Sequence, residues 1–263
     1  MLGIFFNLYV AGAASILALL LHSIGWKRKT LSANLDLLLP KPPPFFYLRF
    51  YFHLSQDLLR FLHRHYGRPI KVRKKDEQKL KILKSSPSLL LPSHFHNWEL
   101  MGAWFQKNGL NLLSAARSLH SPGWQKQLSR LRAKLGLRTI FVDIPAQAKQ
   151  HLNSGGCFGM LWDQFSPHSQ YEVPLLNSPA LMNPLPFFLR SHLPVPVFFA
   201  ALLPGGQLRI CRLMNEGKFL TDSRLLGRRY HKILGKLILS HPTFWYGFCH
   251  ARFKNLGIYP PRP

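Results

Sequence analysis

Acidic residues are scarce in this sequence: 10 Asp and Glu stand against 35 Lys and Arg in 263 residues, a formal net charge of +25. Such a balance says nothing of fold, but it favours anionic partners: nucleic acid, an acidic protein or a phosphate-bearing membrane surface. Cysteine is scarce as well. Cys157, Cys211 and Cys249 are far apart, odd in number and without a C-x-x-C pair, which argues against a disulfide framework or a zinc ribbon and fits a reducing compartment. There is no G-x-S-x-G turn to present a nucleophilic serine and no glycine-rich phosphate loop, so neither a serine hydrolase nor a nucleotide-binding site of those kinds is indicated. Internal repeats and low-complexity linkers are also missing.

The N-terminus has no charge at all from Leu2 to Leu21. At about 1.5 Å per residue, a helix of that length covers the roughly 30 Å hydrocarbon layer of a bilayer. Its first basic neighbours, Lys27, Arg28 and Lys29, follow the apolar run rather than precede it. That order differs from a secretory signal and, by the positive-inside rule, places the rest of the chain in the cytoplasm. Residues 1–29 are therefore expected to be a membrane anchor with a basic flank, and residues 30–263 one globular domain, a length sufficient to bury a core. An amphipathic or core-packed terminal helix is the alternative for the anchor.

Beyond the proline cluster at residues 40–44, a helical pattern runs from about Phe45 to Tyr66 and closes at Gly67. Residues 60–84 then hold ten Lys or Arg against Asp76 and Glu77, a solvated face or an anion-binding arm. From residue 85 short apolar runs alternate with helical ones that end at Gly109 and Gly136, and two further strands flank a Pro-Gly-Gly turn at residues 204–206. Thr221 or Asp222 can cap a last helix that continues to Leu239. The alternation predicts an α/β fold, with a largely parallel or mixed central sheet flanked by helices. His94, Arg117, Asp143 and Asp163 each follow one of four successive predicted strands, and ligands of open α/β sheets bind at such strand ends.

The stretch "HFHNWEL", residues 94–100, concentrates the candidate chemistry. Glu99 is the only carboxylate between Glu77 and Asp143 and lies five positions after His94, in the first turn of a helix that Asn97 can cap. A carboxylate bonded to one imidazole nitrogen fixes the tautomer and leaves the other nitrogen to accept a proton from an alcohol. Metal binding through His94 and His96 competes with this reading, but no second group of ligands accompanies them.

"HFHNWEL" resembles the H-x4-[DE] motif of the lysophospholipid acyltransferase superfamily, in the form HFGNWE that lipid A late acyltransferases (lauroyl and myristoyl transferases) carry. "RSLHSP" at 117–122 resembles their R-P-L-x-N-P, "SGGCFGMLWDQ" their apolar strand ending in Asp-Gln, and "VPLLNSPALM" their F-F-G-x-P-A stretch. "HARFK" resembles their terminal H-R-R-[WF]-K, and "SANLDLLLP" their RNL…FP segment. Ser93 and His96 stand where glycines are usual, Ser118 and Ser121 where Pro and Asn are, and Ala251 where an Arg is.

The resemblance implies a glycerol-3-phosphate acyltransferase-like sheet and transfer of a fatty acyl chain from acyl carrier protein to a glycolipid hydroxyl, a lipid A precursor first, at the cytoplasmic face of a bacterial inner membrane. It gives His94 the role of base and Glu99 that of its orienting partner. Arg117 would bind donor or acceptor, and Asp163 and Gln164 would shape the site. Arg130 and Arg132 add cations for the anionic carrier, acceptor and membrane. No metal or organic cofactor is implied, and nucleic acid is not an expected partner. A lysophospholipid or another glycolipid is the alternative acceptor. A non-catalytic basic protein bound to membrane or nucleic acid would account for the charge, but not for Glu99 beside His94.

Overall fold

The computed structural model describes residues 2–118, 121–167, 169–217 and 223–260, so the expected capping residues Thr221 and Asp222 lie outside it. The chain begins with three helices, α1 (Leu2–Ser23), α2 (Arg28–Leu38) and α3 (Phe46–Leu62). Strand β1 (Lys71–Val72) and helix α4 (Glu77–Ser85) follow. The predicted alternation then appears in order: β2 (Ser88–Leu90), α5 (Trp98–Lys107), β3 (Leu112–Ala115), α6 (Pro122–Lys134), β4 (Arg138–Ile140), α7 (Ile144–Asn153) and β5 (Cys157–Met160). A hairpin of β6 (Glu172–Leu175) and β7 (Ser178–Leu181), helix α8 (Leu185–His192), strands β8 (Val197–Leu203) and β9 (Gln207–Met214) and helix α9 (Ser223–Ser240) complete the regular elements, before short 3-10 turns.

Local chemistry explains the boundaries. Asn97 accepts a hydrogen bond from the Leu100 N–H at 3.2 Å and so caps α5, as its position suggests. Gly109 and Gly136, with φ of 84° and 77°, end the turns after α5 and α6 in a conformation that other residues rarely adopt. Helix α3 stops at Leu62, short of the expected Tyr66, because Arg64 already turns into the left-handed region ahead of Gly67.

The seven-stranded sheet has the order β1-β9-β8-β2-β5-β3-β4, and its pairs are parallel except β8 with β9. Successive residues of β8 bury alternately on its two faces. Val197, Phe199 and Ala201 join a core cluster with Phe50, Phe187 and Tyr230, whereas Phe198, Ala200 and Leu202 join another with Met101, Phe105 and Leu83. Burial on both sides is why this strand reads as an unbroken apolar run. Helix α1 packs lengthwise on α3 through Val10, Ala14 and Ala18, which are fully buried at helical spacing.

Candidate active site

The sheet order makes β2 and β5 neighbours, with Leu90 opposite Gly159, and the two chains stay paired past their strands through the Trp162 N–H bonded to the Pro92 carbonyl. His94, after β2, and Asp163, after β5, consequently meet. Asp163 Oδ1 lies 2.7 Å from His94 Nδ1, and Oδ2 accepts both the His94 backbone N–H and the Trp245 indole N–H, each at 2.8 Å. Burial by itself would raise the Asp163 pKa, but the adjacent His94 and these three hydrogen bonds outweigh it and hold the carboxyl at about 2. Asp163 is therefore a carboxylate with one oxygen on the His94 imidazole and the other fixed by the His94 backbone and Trp245.

The other ring nitrogen of that imidazole faces a cavity. With Nδ1 donating to Asp163, His94 Nε2 presents its lone pair, 3.2 Å from the Gln164 amide nitrogen. The Gln164 amide thus donates to that nitrogen. The rings of Trp98 and His250 each lie 5.0 Å from the His94 ring and line the same space. That space is a cavity of about 630 Å³ between α5, α6 and the carboxyl ends of β2, β5 and β3. Leu90, Met101, Phe105, Leu112 and Met160 supply apolar lining, and Arg117, Arg132 and Glu99 supply charge.

Glu99 is not the orienting partner of His94. It leaves the first turn of α5 toward α6, where Arg132 takes its carboxylate in a two-point ion pair, Nη2 to Oε1 at 2.5 Å and Nε to Oε2 at 3.1 Å. A guanidinium in that fork geometry satisfies both oxygens. Glu99 and Arg132 therefore enter the cavity as a paired unit, and the imidazole is held by Asp163. Arg117 lies exposed at the cavity wall, as a strand-end position suggests. Arg130 is exposed and not among the lining residues, because it follows a different face of α6 from Arg132. Asp143, the remaining strand-end residue, is exposed beside the edge strand β4 and does not line the cavity.

His96 points away from His94 and has its own carboxylate. Its Nδ1 is 2.7 Å from Asp57 Oδ2, which also accepts the Tyr246 hydroxyl at 2.5 Å, and Asn97 Nδ2 donates to the Asp57 carbonyl at 2.9 Å. His96 has a φ of 47°, the left-handed region in which glycine is comfortable, and so its side-chain bonds hold a backbone shape that a glycine adopts freely. The two histidines of "HFH" diverge. Among the described residues no group of three or more His, Cys, Asp or Glu is gathered to hold a metal.

Antiparallel contacts complete the loop. His96 N–H bonds to the Phe244 carbonyl at 2.8 Å and Tyr246 N–H to the His94 carbonyl at 2.7 Å. The C-terminal aromatic segment thereby fixes the residues on either side of Phe95. Trp245 and Asp57 gave no functional signal in the sequence, since their roles depend on contacts with residues far along the chain.

A family model for bacterial lipid A biosynthesis acyltransferases matches residues 56–255, about three quarters of the chain. The chain belongs to this family. No curated protein matches it. The match includes both His94, after β2, and Asp163, after β5. It extends through Arg252, whose guanidinium is buried, donates to the Leu181 carbonyl at 2.6 Å and so ties the C-terminal segment to β7. Burial lowers its pKa to about 10, which leaves it charged at neutral pH.

Buried histidines give this acyltransferase a definite acid response. Burial pushes His53 down to about 4, and burial with the nearby Arg252 pushes His231 down to about 3. Both are neutral in the fold near neutrality, whereas in the unfolded chain they take up protons below about pH 6.5. The unfolded state then binds more protons, so stability falls as pH drops from about 6.5 toward 4. Urea melts across that range are expected to show a falling midpoint. His231→Gln, which cannot titrate, is expected to flatten the fall, and an unchanged slope in that variant would remove His231 from the explanation.

Proposed function

We propose that the protein transfers a fatty acyl chain from the thioester of an acyl carrier protein to a hydroxyl of a lipid A precursor, while associated with the inner membrane. The observation that carries this reading is the His94–Asp163 pair, whose Nε2 faces a largely apolar cavity with only the Gln164 amide, which an acceptor hydroxyl would displace, hydrogen-bonded to it. An acceptor hydroxyl at Nε2 gives up its proton as its oxygen attacks the thioester carbonyl, and Asp163 stabilises the imidazolium that forms. The C–S bond then breaks as the tetrahedral carbon collapses, and His94 returns the proton to the leaving thiolate. No covalent acyl-enzyme and no cofactor enters these steps.

Support for the substrates comes from lining and charge. The apolar side chains between α5 and the sheet suit an acyl chain, and Arg117 with the Arg132–Glu99 pair suits phosphates or polar headgroup atoms. The test is acyl transfer by the purified full chain from acyl carrier thioesters to a lipid A precursor, read by mass spectrometry of the product. Transfer to a lysophospholipid with none to the glycolipid would replace the acceptor. No transfer to any hydroxyl lipid would overturn the reading.

The basic arm allows a second check on the donor. Exposed charges attract an acidic carrier over distances limited by salt, with a screening length of about 8 Å at physiological ionic strength. Raising salt is expected to increase the KM for the carrier thioester while the saturated turnover changes less. Lys71, Lys74 and Lys75 are exposed, whereas Arg73 is occupied by Asp76, whose Oδ2 lies 3.3 Å from the Ile210 N–H of β9. Neutralising the three lysines and sparing Arg73 is expected to flatten the salt dependence. A KM indifferent to salt would favour a small thioester such as acyl-CoA.

A further inference from the structure

Helix α1 has the length and apolarity of a membrane span, with a mean hydropathy of 2.2 over Gly3–Ser23. Its contacts, however, are arranged along its whole length on one side. Near the N-terminal end, the Phe6 ring packs on the rings of His63 and His65 at 5.5 and 4.1 Å, and Asn7 Nδ2 lies 3.4 Å from the Gly67 carbonyl. Near the C-terminal end, the Tyr51 hydroxyl donates to the Trp26 carbonyl at 2.6 Å. Val10, Ala14 and Ala18 close the middle against α3, which itself is part of the core through Phe46, Phe50 and Tyr51. Both ends of α1 are thus fastened to the body that carries His94.

The charges at the two ends point the same way. Exposed Lys27, Arg28 and Lys29 follow α1, and exposed Arg64 and Arg68 lie beside its N-terminal end, in the segment that Phe6 and Asn7 touch. If α1 crossed a bilayer, about 33 Å of helix would separate these two groups, and Arg64 and Arg68 would have to pass to the far side with the start of the sheet. Between the charges α1 exposes Ile4, Phe5, Leu8, Ile16, Leu19 and Leu20 around the part of its surface that Val10, Ala14 and Ala18 leave uncovered, and Leu58 and Leu62 of α3 are exposed as well. An apolar ridge bounded at both ends by cations matches the layering of a single leaflet, acyl chains below and anionic headgroups at either end.

We propose that α1 and α3 together form an in-plane docking surface for an anionic phospholipid leaflet, with α1 lying in the headgroup–acyl boundary and not crossing the bilayer. This rests on the membrane-associated reading of the preceding subsection and specifies its geometry. It also directs the cations of both ends to the same headgroup layer.

The experiment uses the full chain. Gly3→Cys places a thiol at an exposed position with open space around it, and is probed with a membrane-impermeant maleimide in intact bacterial spheroplasts and after detergent lysis, against the parent chain with its three native cysteines. The in-plane arrangement is expected to give labelling at position 3 only after lysis. In parallel, flotation of purified protein with vesicles containing phosphatidylglycerol is expected to weaken at least threefold in Arg64→Glu/Arg68→Glu and in Ile4→Asp/Leu8→Asp. Labelling of Gly3→Cys in intact spheroplasts by a protein that still floats would overturn the in-plane arrangement alone. Absence of flotation with any vesicle, anionic or neutral, would overturn the membrane reading beneath it. Flotation unaffected by loss of Arg64 and Arg68 would remove the N-terminal cations from the surface.

Discussion

Asp163→Asn is expected to lower kcat by about 10²- to 10⁴-fold, with KM nearly unchanged. Asn keeps the size of the side chain, but its amide cannot hold a proton on His94 Nδ1 and stabilise the imidazolium as a carboxylate does. Because Asp163 is about 1 % exposed and its contacts are with His94 and Trp245, the substitution leaves the cavity wall intact. His94→Ala removes the proposed base and is expected to lose at least as much. Glu99→Gln provides the contrast: its carboxylate holds Arg132 in the cavity and does not reach the imidazole, so its main effect is expected on KM. Single-turnover acyl transfer at saturating thioester separates the two. Retention of kcat within threefold in Asp163→Asn, or a loss confined to kcat in Glu99→Gln, would return the orienting role to Glu99.

Asp57→Ala is expected to destabilise the fold by about 3–5 kcal/mol, the range for removing one partner of a buried, hydrogen-bonded charged group. For a chain of this size that corresponds to a fall in Tm of about 6–20 °C by differential scanning calorimetry. The loss is concentrated because one carboxylate oxygen of Asp57 serves both His96 and Tyr246, while the backbone carbonyl that accepts from Asn97 stays in the variant. The substitution takes from the buried Tyr246 phenol and the buried His96 imidazole the carboxylate oxygen that both share. His96→Gly is expected to cost much less, since glycine accepts the left-handed φ at which His96 is held. Equal losses in the two variants would show that the His96 side chain, and not the shared carboxylate, is the main fastener.

The strand-helix alternation was legible because its elements are short and several are bounded by a residue with a specific backbone preference: Asn97 before α5, Gly109 after it and Gly136 after α6. The β6–β7 hairpin was not. Pro174 and Pro179, which face each other across it, remove backbone donors and read as loop, and its turn uses Leu176 and Asn177 at positive φ where a glycine would have been the signal. The partner of His94 was misassigned for a different reason. His94 and Glu99 are close in sequence, and local spacing suggests a pair; Asp163 is 69 positions away and becomes adjacent only because β5 returns to lie beside β2. Strand order is a property of packing across the whole sheet. Periodicity within one segment does not encode it.

That return of β5 has a consequence for how such a protein can change. Everything between β2 and β5, from α5 through α7, is one excursion that leaves the centre of the sheet and comes back to it. The excursion supplies Met101, Phe105, Leu112, Arg117 and Arg132 to the cavity, whereas His94 and Asp163 sit where the excursion departs and where it ends. Much of the pocket wall is therefore carried by a segment distinct from the residues that hold the His94–Asp163 pair. A lengthened loop or an exchanged side chain in the excursion reshapes the pocket while the Leu90–Gly159 register keeps His94 and Asp163 in place, so divergence in substrate can proceed without rebuilding the chemistry.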